Sequence, residues 1–134
     1  MRGIFSAKVL YANQSKRVWT AAEKAMRWAL AKSAYRIMAD AKSTIKRSDK
    51  PSAPGTPPHT SRGALRASIR YAVDYTIPEA VIGPMGSVIA GIGELHELGG
   101  TYKGHEYPSR AFMGPSLDRE LDKFAGEFSG SIGQ

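Results

Sequence analysis

The stretch SKRVWTAAEKAMRWALAKSAYRIMADAKSTIKR, residues 15–47, decides the architecture. Val18/Trp19, Ala22, Ala25/Met26, Ala29/Leu30, Ala34, Ile37/Met38, Ala41 and Ile45 recur every three to four residues, which paints one face of a helix. No Gly or Pro interrupts the run, and Lys16, Arg17, Lys24, Arg27, Lys32, Arg36, Lys42, Lys46 and Arg47 fill much of the remaining circumference. Thr20 and Glu23 have capping-box spacing, although the stripe begins upstream at Val18. The spacing predicts one long amphipathic helix over residues 15–47, with an Ala-rich face that another helix or a sheet can approach closely. Trp19 and Trp28 point about 180° apart at 100° per residue, so they do not share a face. One is expected in the core and the other under a neighbouring element or subunit.

Working outward, Phe5, Ala7, Val9 and Tyr11 alternate, which predicts an arm or short strand over residues 1–14. After the helix, SDKPSAPGTPPHT (residues 48–60) holds four prolines and a glycine, which neither continue a helix nor pair in a central strand. An extended, partly polyproline-II loop is expected, either a linker or an arm projecting to a partner. In TSRGALRASI, Thr60 or Ser61 is placed to cap a short helix carrying Leu65 and Ile69 one turn apart. Arg62, Arg66 and Arg70 share that spacing, so three guanidinium groups are expected on one face, solvated or facing DNA.

From Ile69 to Pro84 the period changes to two, with Tyr71, Val73 and Tyr75 before a break at Pro78-Glu79 and Val81-Ile82 after it. That predicts an antiparallel hairpin or two neighbouring strands. A short helix over 89–98 is expected to stop at Gly99-Gly100, and TYKGHEYPSRAF reads as a short strand or loop. A final helix is expected over 115–128, followed by a tail over 129–134. Pro115 suits its first turn, Asp118 and Glu120 suit its start, and Leu117, Leu121, Phe124 and Phe128 form its apolar stripe. All of this fits one domain of 134 residues.

The chain has no cysteine, which excludes disulfides, thiolate metal sites and cysteine nucleophiles. No apolar run approaches the ~20 residues that span a bilayer. MRGIFSAKVLYANQSK makes a poor signal peptide, so the cytoplasm is the default compartment and no membrane contact is expected. The net charge of +7 is unevenly spread. Residues 1–73 hold fifteen Lys/Arg against three acids, a net of +12, and residues 74–134 hold four against nine, a net of −5. Such a dipolar chain suits attraction to a polyanion, or head-to-tail stacking of copies.

The string GELHELGG raises the question of metal, because His96-Glu97 resembles the first half of a zinc-protease helix. That chemistry needs a second His four residues on, where both rings share a face and grip one ion; Gly100 stands there instead. His59 and His105 lie far along the chain, no Gly-x-Ser-x-Gly elbow occurs, and the glycines lack a phosphate-loop order. Glu94, Glu97 and Glu106 are as suited to pairing with Arg110 or Lys103 as to acid–base work. A metal hydrolase at His96-Glu97 is therefore the last-ranked reading. His96 and Glu97 are expected to hydrogen-bond locally at a helix end, where Gly99-Gly100 turn the chain.

Four strings stand in a telling order: SRGALRASI, VIGP, HELGG and YPSRAFMGPSL before a terminal helix. The chain thereby resembles the neck protein family (head–tail joining, tail completion) of long-tailed bacteriophages, the gene-product-ten-like group of a lambdoid phage. The resemblance covers roughly residues 15–128. Gly63, Leu65, Arg66, Ser68 and Ile69 match the first motif, and His96, Glu97, Gly99 and Gly100 the second. Pro108, Arg110, Phe112, Met113, Pro115 and Leu117 match the third, while Leu98 and Ser116 depart from the family's usual aromatic and Ala.

The resemblance implies an α+β fold, with the long helix and the C-terminal helix packed on a small antiparallel sheet. It implies a virion structural protein assembled in the host cytoplasm, with no catalysis and no cofactor. Copies would form a homo-oligomeric ring between the head connector and the tail terminator or tail tube, coaxial with the DNA channel. Non-specific contact with genomic DNA would fall to Arg62, Arg66 and Arg70 or to the lysines of the long helix. The competing function is a free basic nucleic-acid-binding protein. Against it, no base-reading module is visible, and stacking aromatics interleaved with the basic residues are not expected.

Overall fold

A computed structural model describes residues 5–8 and 16–131. The elements run β1 (Phe5–Lys8), α1 (Lys16–Thr44), β2 (Lys46–Arg47), β3 (His59–Thr60), α2 (Ala64–Ser68), β4 (Ile69–Asp74), β5 (Glu79–Pro84), α3 (Ser87–Leu98), β6 (Gly100–Tyr102), β7 (His105–Tyr107) and α4 (Met113–Ser131). This is a mixed helix-and-strand chain of α+β type, as expected. Among the described residues no helix is long and apolar enough to cross a membrane.

The apolar side of α1 packs as its periodicity requires. Ala25, Met26, Ala29, Leu30, Ala34, Ile37 and Ala41 are all buried, and α4 and the sheet lie against them. The alanines supply no bulk, so both neighbours approach closely. The helix ends at Thr44, three residues short of the expected Arg47. Ser43 and Thr44 turn their hydroxyls back onto the carbonyls of Asp40 and Ala41 (2.7 and 2.8 Å), occupying acceptors that the last turn leaves open.

The main sheet has the order β1-β5-β4, antiparallel throughout. The β4–β5 register sets Ile69 opposite Pro84, Tyr71 opposite Ile82 and Val73 opposite Ala80, and this face meets α1. Ile69, Ala80 and Ile82 join Leu65, Phe112, Met113 and the α1 residues in one core, with Met38, Val73, Ile89, Leu117 and Phe124 packed around it. In the turn between the strands, Asp74 accepts from the Thr76 hydroxyl (2.6 Å) and amide (2.8 Å). Those bonds, the hydroxyl's first, hold its carboxyl below the usual range.

Two expectations for the middle of the chain are corrected. Residues 48–58 form no helix or strand, but they are neither a free linker nor a projecting arm. The parallel β2–β3 pair closes their base, Gly55 N–H donates to Ser109 O (2.9 Å), and Pro58 is fully buried. The α2 segment has only five residues, so Arg62 precedes it, Arg66 lies on it and Arg70 lies on β4. All three arginines are exposed, but they do not line one helix face. Nor does a side chain cap α2. Its N-cap is Gly63 at φ 78°, whose own amide donates to the Thr60 hydroxyl (3.1 Å).

Candidate functional site

The HELGG and YPSRAFMGPSL segments meet. Glu97 sits in the last turn of α3, buried to 6% exposure, and its carboxylate reaches the first turn of α4. The amides of Phe112 and Met113 donate to Oε2 at 2.8 and 2.9 Å, and that of Gly114 donates to Oε1 at 2.8 Å. A helix start carries unpaired N–H groups and a positive dipole end, and one buried carboxylate answers both. This corrects the expectation of a local His96–Glu97 bond. Where a zinc-protease helix would carry a free base, the Glu97 carboxylate holds three amides. Among the described residues no group of three or more His, Asp or Glu side chains is placed to hold a metal ion.

Around this cap the backbone is drawn tight. Gly99 ends α3 at φ 70°, its amide donating to Leu95 O (2.8 Å). A β-carbon there would lie 2.8 Å from Ser109 N and 2.9 Å from Tyr107 O, so no side chain fits. Ser109 donates its hydroxyl to Glu97 O (2.8 Å), and the Arg110 amide donates to His96 O (2.6 Å). The Arg110 Nε donates to Ser52 O (2.9 Å), which fastens the Pro-rich loop to the same junction. His96 is half-buried, and desolvation, then the positive Arg110, lowers its pKa from 6.5.

The residues singled out by the resemblance fall in several places, with Gly63 and the exposed Arg66 at α2 outside both core and junction. Leu65, Ile69, Phe112 and Met113 share the core, Glu97, Gly99 and Arg110 build the junction, and Ser68 donates its hydroxyl to Leu65 O (2.7 Å). Leu117 is half-buried and Pro115 lies in the first turn of α4. Gly100 opens β6, and Pro108 directly follows β7. The α4 stripe runs one step differently from its expected course. Met113, Ser116 and Glu120 are buried, Phe124 is half-buried, and Leu121 is exposed. Glu120 faces α1, where Ser33 (3.3 Å) and Arg36 (3.4 Å) donate to it. Phe128 and Trp19 have side chains outside the described set.

Among the described residues, two surfaces stand exposed. The hairpin β6–β7 is exposed along both strands and turns through Lys103 and Gly104, both at positive φ (49° and 79°). Beside it Val88 (75% exposed), Ile92, Leu95 and Leu98 (68%) stack on α3 at spacings of three to four residues. With Tyr102 and Glu94 they line an open apolar groove of about 570 Å³. The second surface is aromatic and cationic. Trp28 and Tyr35 stand out from α1, with the Lys32 ammonium over the Trp28 ring (4.4 Å). Tyr71 of β4 meets Tyr35 edge-on, and Arg27 lies over Tyr75 while donating to its carbonyl (2.8 Å). Trp28, Lys32 and Tyr35 do interleave along α1, contrary to expectation, and Tyr71 and Tyr75 join them from β4 and the turn after it. Comparison of the chain with family models, with curated proteins and with solved structures yields no match.

Proposed function

We propose that the chain is a structural subunit of the neck of a long-tailed phage virion, joining head connector to tail as part of a ring around the DNA channel. The observation that carries this reading is the apolar groove along α3 and the β6–β7 hairpin. Val88, Ile92 and Leu98 form a contiguous exposed apolar stripe, which marks an association surface more than a solvated one. Two further features support it: the order of the four sequence strings, and the split of charge between the chain's halves, which favours heterologous contacts that close on themselves. In this role the Glu97 junction holds hairpin and groove in fixed relation, as a ring contact repeated many times requires.

Disruption of the gene in the phage or prophage that carries it tests the reading. DNA-filled heads and separate tails are expected, with infectivity restored by the wild-type chain and not by L98E. Normal, infectious, tailed particles from the disrupted gene would refute it.

A further inference from the structure

At 100° per residue, Lys24, Trp28, Lys32, Tyr35 and Lys42 fall within an arc of about 80° on α1 and span about 27 Å of its axis. The buried side, centred on Ala29, Ser33 and Ile37, lies opposite. Trp28 is 52% exposed and Tyr35 55%. The Tyr35–Tyr71 pair is edge-on, with centroids 6.3 Å apart and planes at 82°, so one ring's edge meets one face of the other, and the Lys32 ammonium lies over one face of Trp28 (4.4 Å). Acids on these elements are engaged elsewhere: Glu23 with Arg27, Asp40 with Arg119 (2.6 Å), and Asp74 with Thr76. The arc therefore combines positive charge with half-exposed aromatic rings.

We infer that this face of α1, with Tyr71 of β4, binds single-stranded nucleic acid. Trp28 and Tyr35 lie about 10 Å apart along the axis, and bases stack on them while Lys24 and Lys42 meet the flanking phosphates and Lys32 stays over the Trp28 ring. A duplex satisfies only half of this chemistry, because its bases are already stacked and offer no face to an indole or phenol. A second copy of the chain satisfies the aromatics, which are common at protein interfaces, but leaves Lys24 and Lys42 to be covered, and lysine is depleted there. The inference stands independently of ring assembly.

Titration of the purified full-length chain with an oligothymidylate about 15 nucleotides long, at low and moderate salt, tests this. The expected result is quenching of Trp28 emission, followed in W19F so that one indole reports, or as the signal lost in W28F should W19F not fold. Affinity is expected to fall with salt, and to drop at least about tenfold in W28A/Y35A, whose exposed sites leave folding by circular dichroism unchanged. A duplex of equal length is expected to bind more weakly and leave Trp28 unquenched. Absence of binding overturns the inference. So does equal binding by W28A/Y35A, or by heparin in place of the oligonucleotide with the same quenching, since charge alone would then suffice. Loss of self-association in W28A/Y35A, without oligonucleotide binding by the wild type, assigns the face to a second copy instead.

Discussion

The three amides that converge on Glu97 have no other acceptor in the first turn of α4, so the carboxylate and the helix start depend on each other. E97A would strand these N–H groups in a largely dry site, and urea denaturation is expected to show a loss of about 3 kcal/mol. E97Q keeps an acceptor but not the charge, and a loss of about half that size is expected; equal stability of all three chains would contradict the capping role. His96 supplies a pH dependence whose direction is fixed by its surroundings. Burial, and after it Arg110, disfavours the imidazolium in the folded chain, so the unfolded chain takes up the proton first as pH falls. Its contribution is full above about 6.5, declines as pH falls from there through the folded value, and then levels. H96Q is expected to flatten that decline in stability measured from pH 8 to 5. Neither role was legible locally. A helix cap announces itself in sequence when donor and acceptor lie within one turn, whereas Glu97 acts across 15–17 residues and a hairpin.

Among elements, length decided what could be read. The 29 residues of α1 average out local exceptions, and its face and approximate extent follow from periodicity alone. Its end did not, because Ile45 continues the apolar spacing while the hydroxyls of Ser43 and Thr44 close the helix before it. Strands of two or three residues, as in β2, β3, β6 and β7, are too short to show a period of two. On α4, buried Ser116 and Glu120 hid the true stripe and Leu121 suggested a false one. The Pro-rich loop illustrates the same limit: its composition rules out helix and central strand, but its attachment rests on Arg110, some sixty residues later. R110A is expected to release that loop. Limited proteolysis should then cut within residues 48–58 faster than in the wild type, while the main unfolding transition moves by no more than about 1 kcal/mol. Unchanged cleavage would show that the β2–β3 closure suffices by itself.

At the scale of the whole molecule, the charge division and the core were legible, and the surfaces were not. The net of +12 on residues 1–73 and −5 on residues 74–134 needs only counting. The groove beside α3 needs the hairpin folded against it, and the aromatic face needs β4 laid beside α1. Contacts between copies that join opposite charges weaken as ions screen them over about 10 Å at 0.1 M salt. Sedimentation at low salt is therefore expected to find the wild-type chain heavier than L98E, with the difference shrinking as salt rises. Equal masses at every salt would remove the groove from the assembly reading.

The close approach at Gly99 carries a further consequence. The chain leaves the body there and returns at Ser109, with the two backbones in contact, so everything between them hangs from a closed root. Closing a loop costs little more when the loop is lengthened once its ends are fixed. The segment from Thr101 to Glu106 is in that sense an exchangeable blade on a permanent hilt. A longer finger, a different recognition sequence or a spectroscopic label can be set into it, and the helices that grip the root need never register the change.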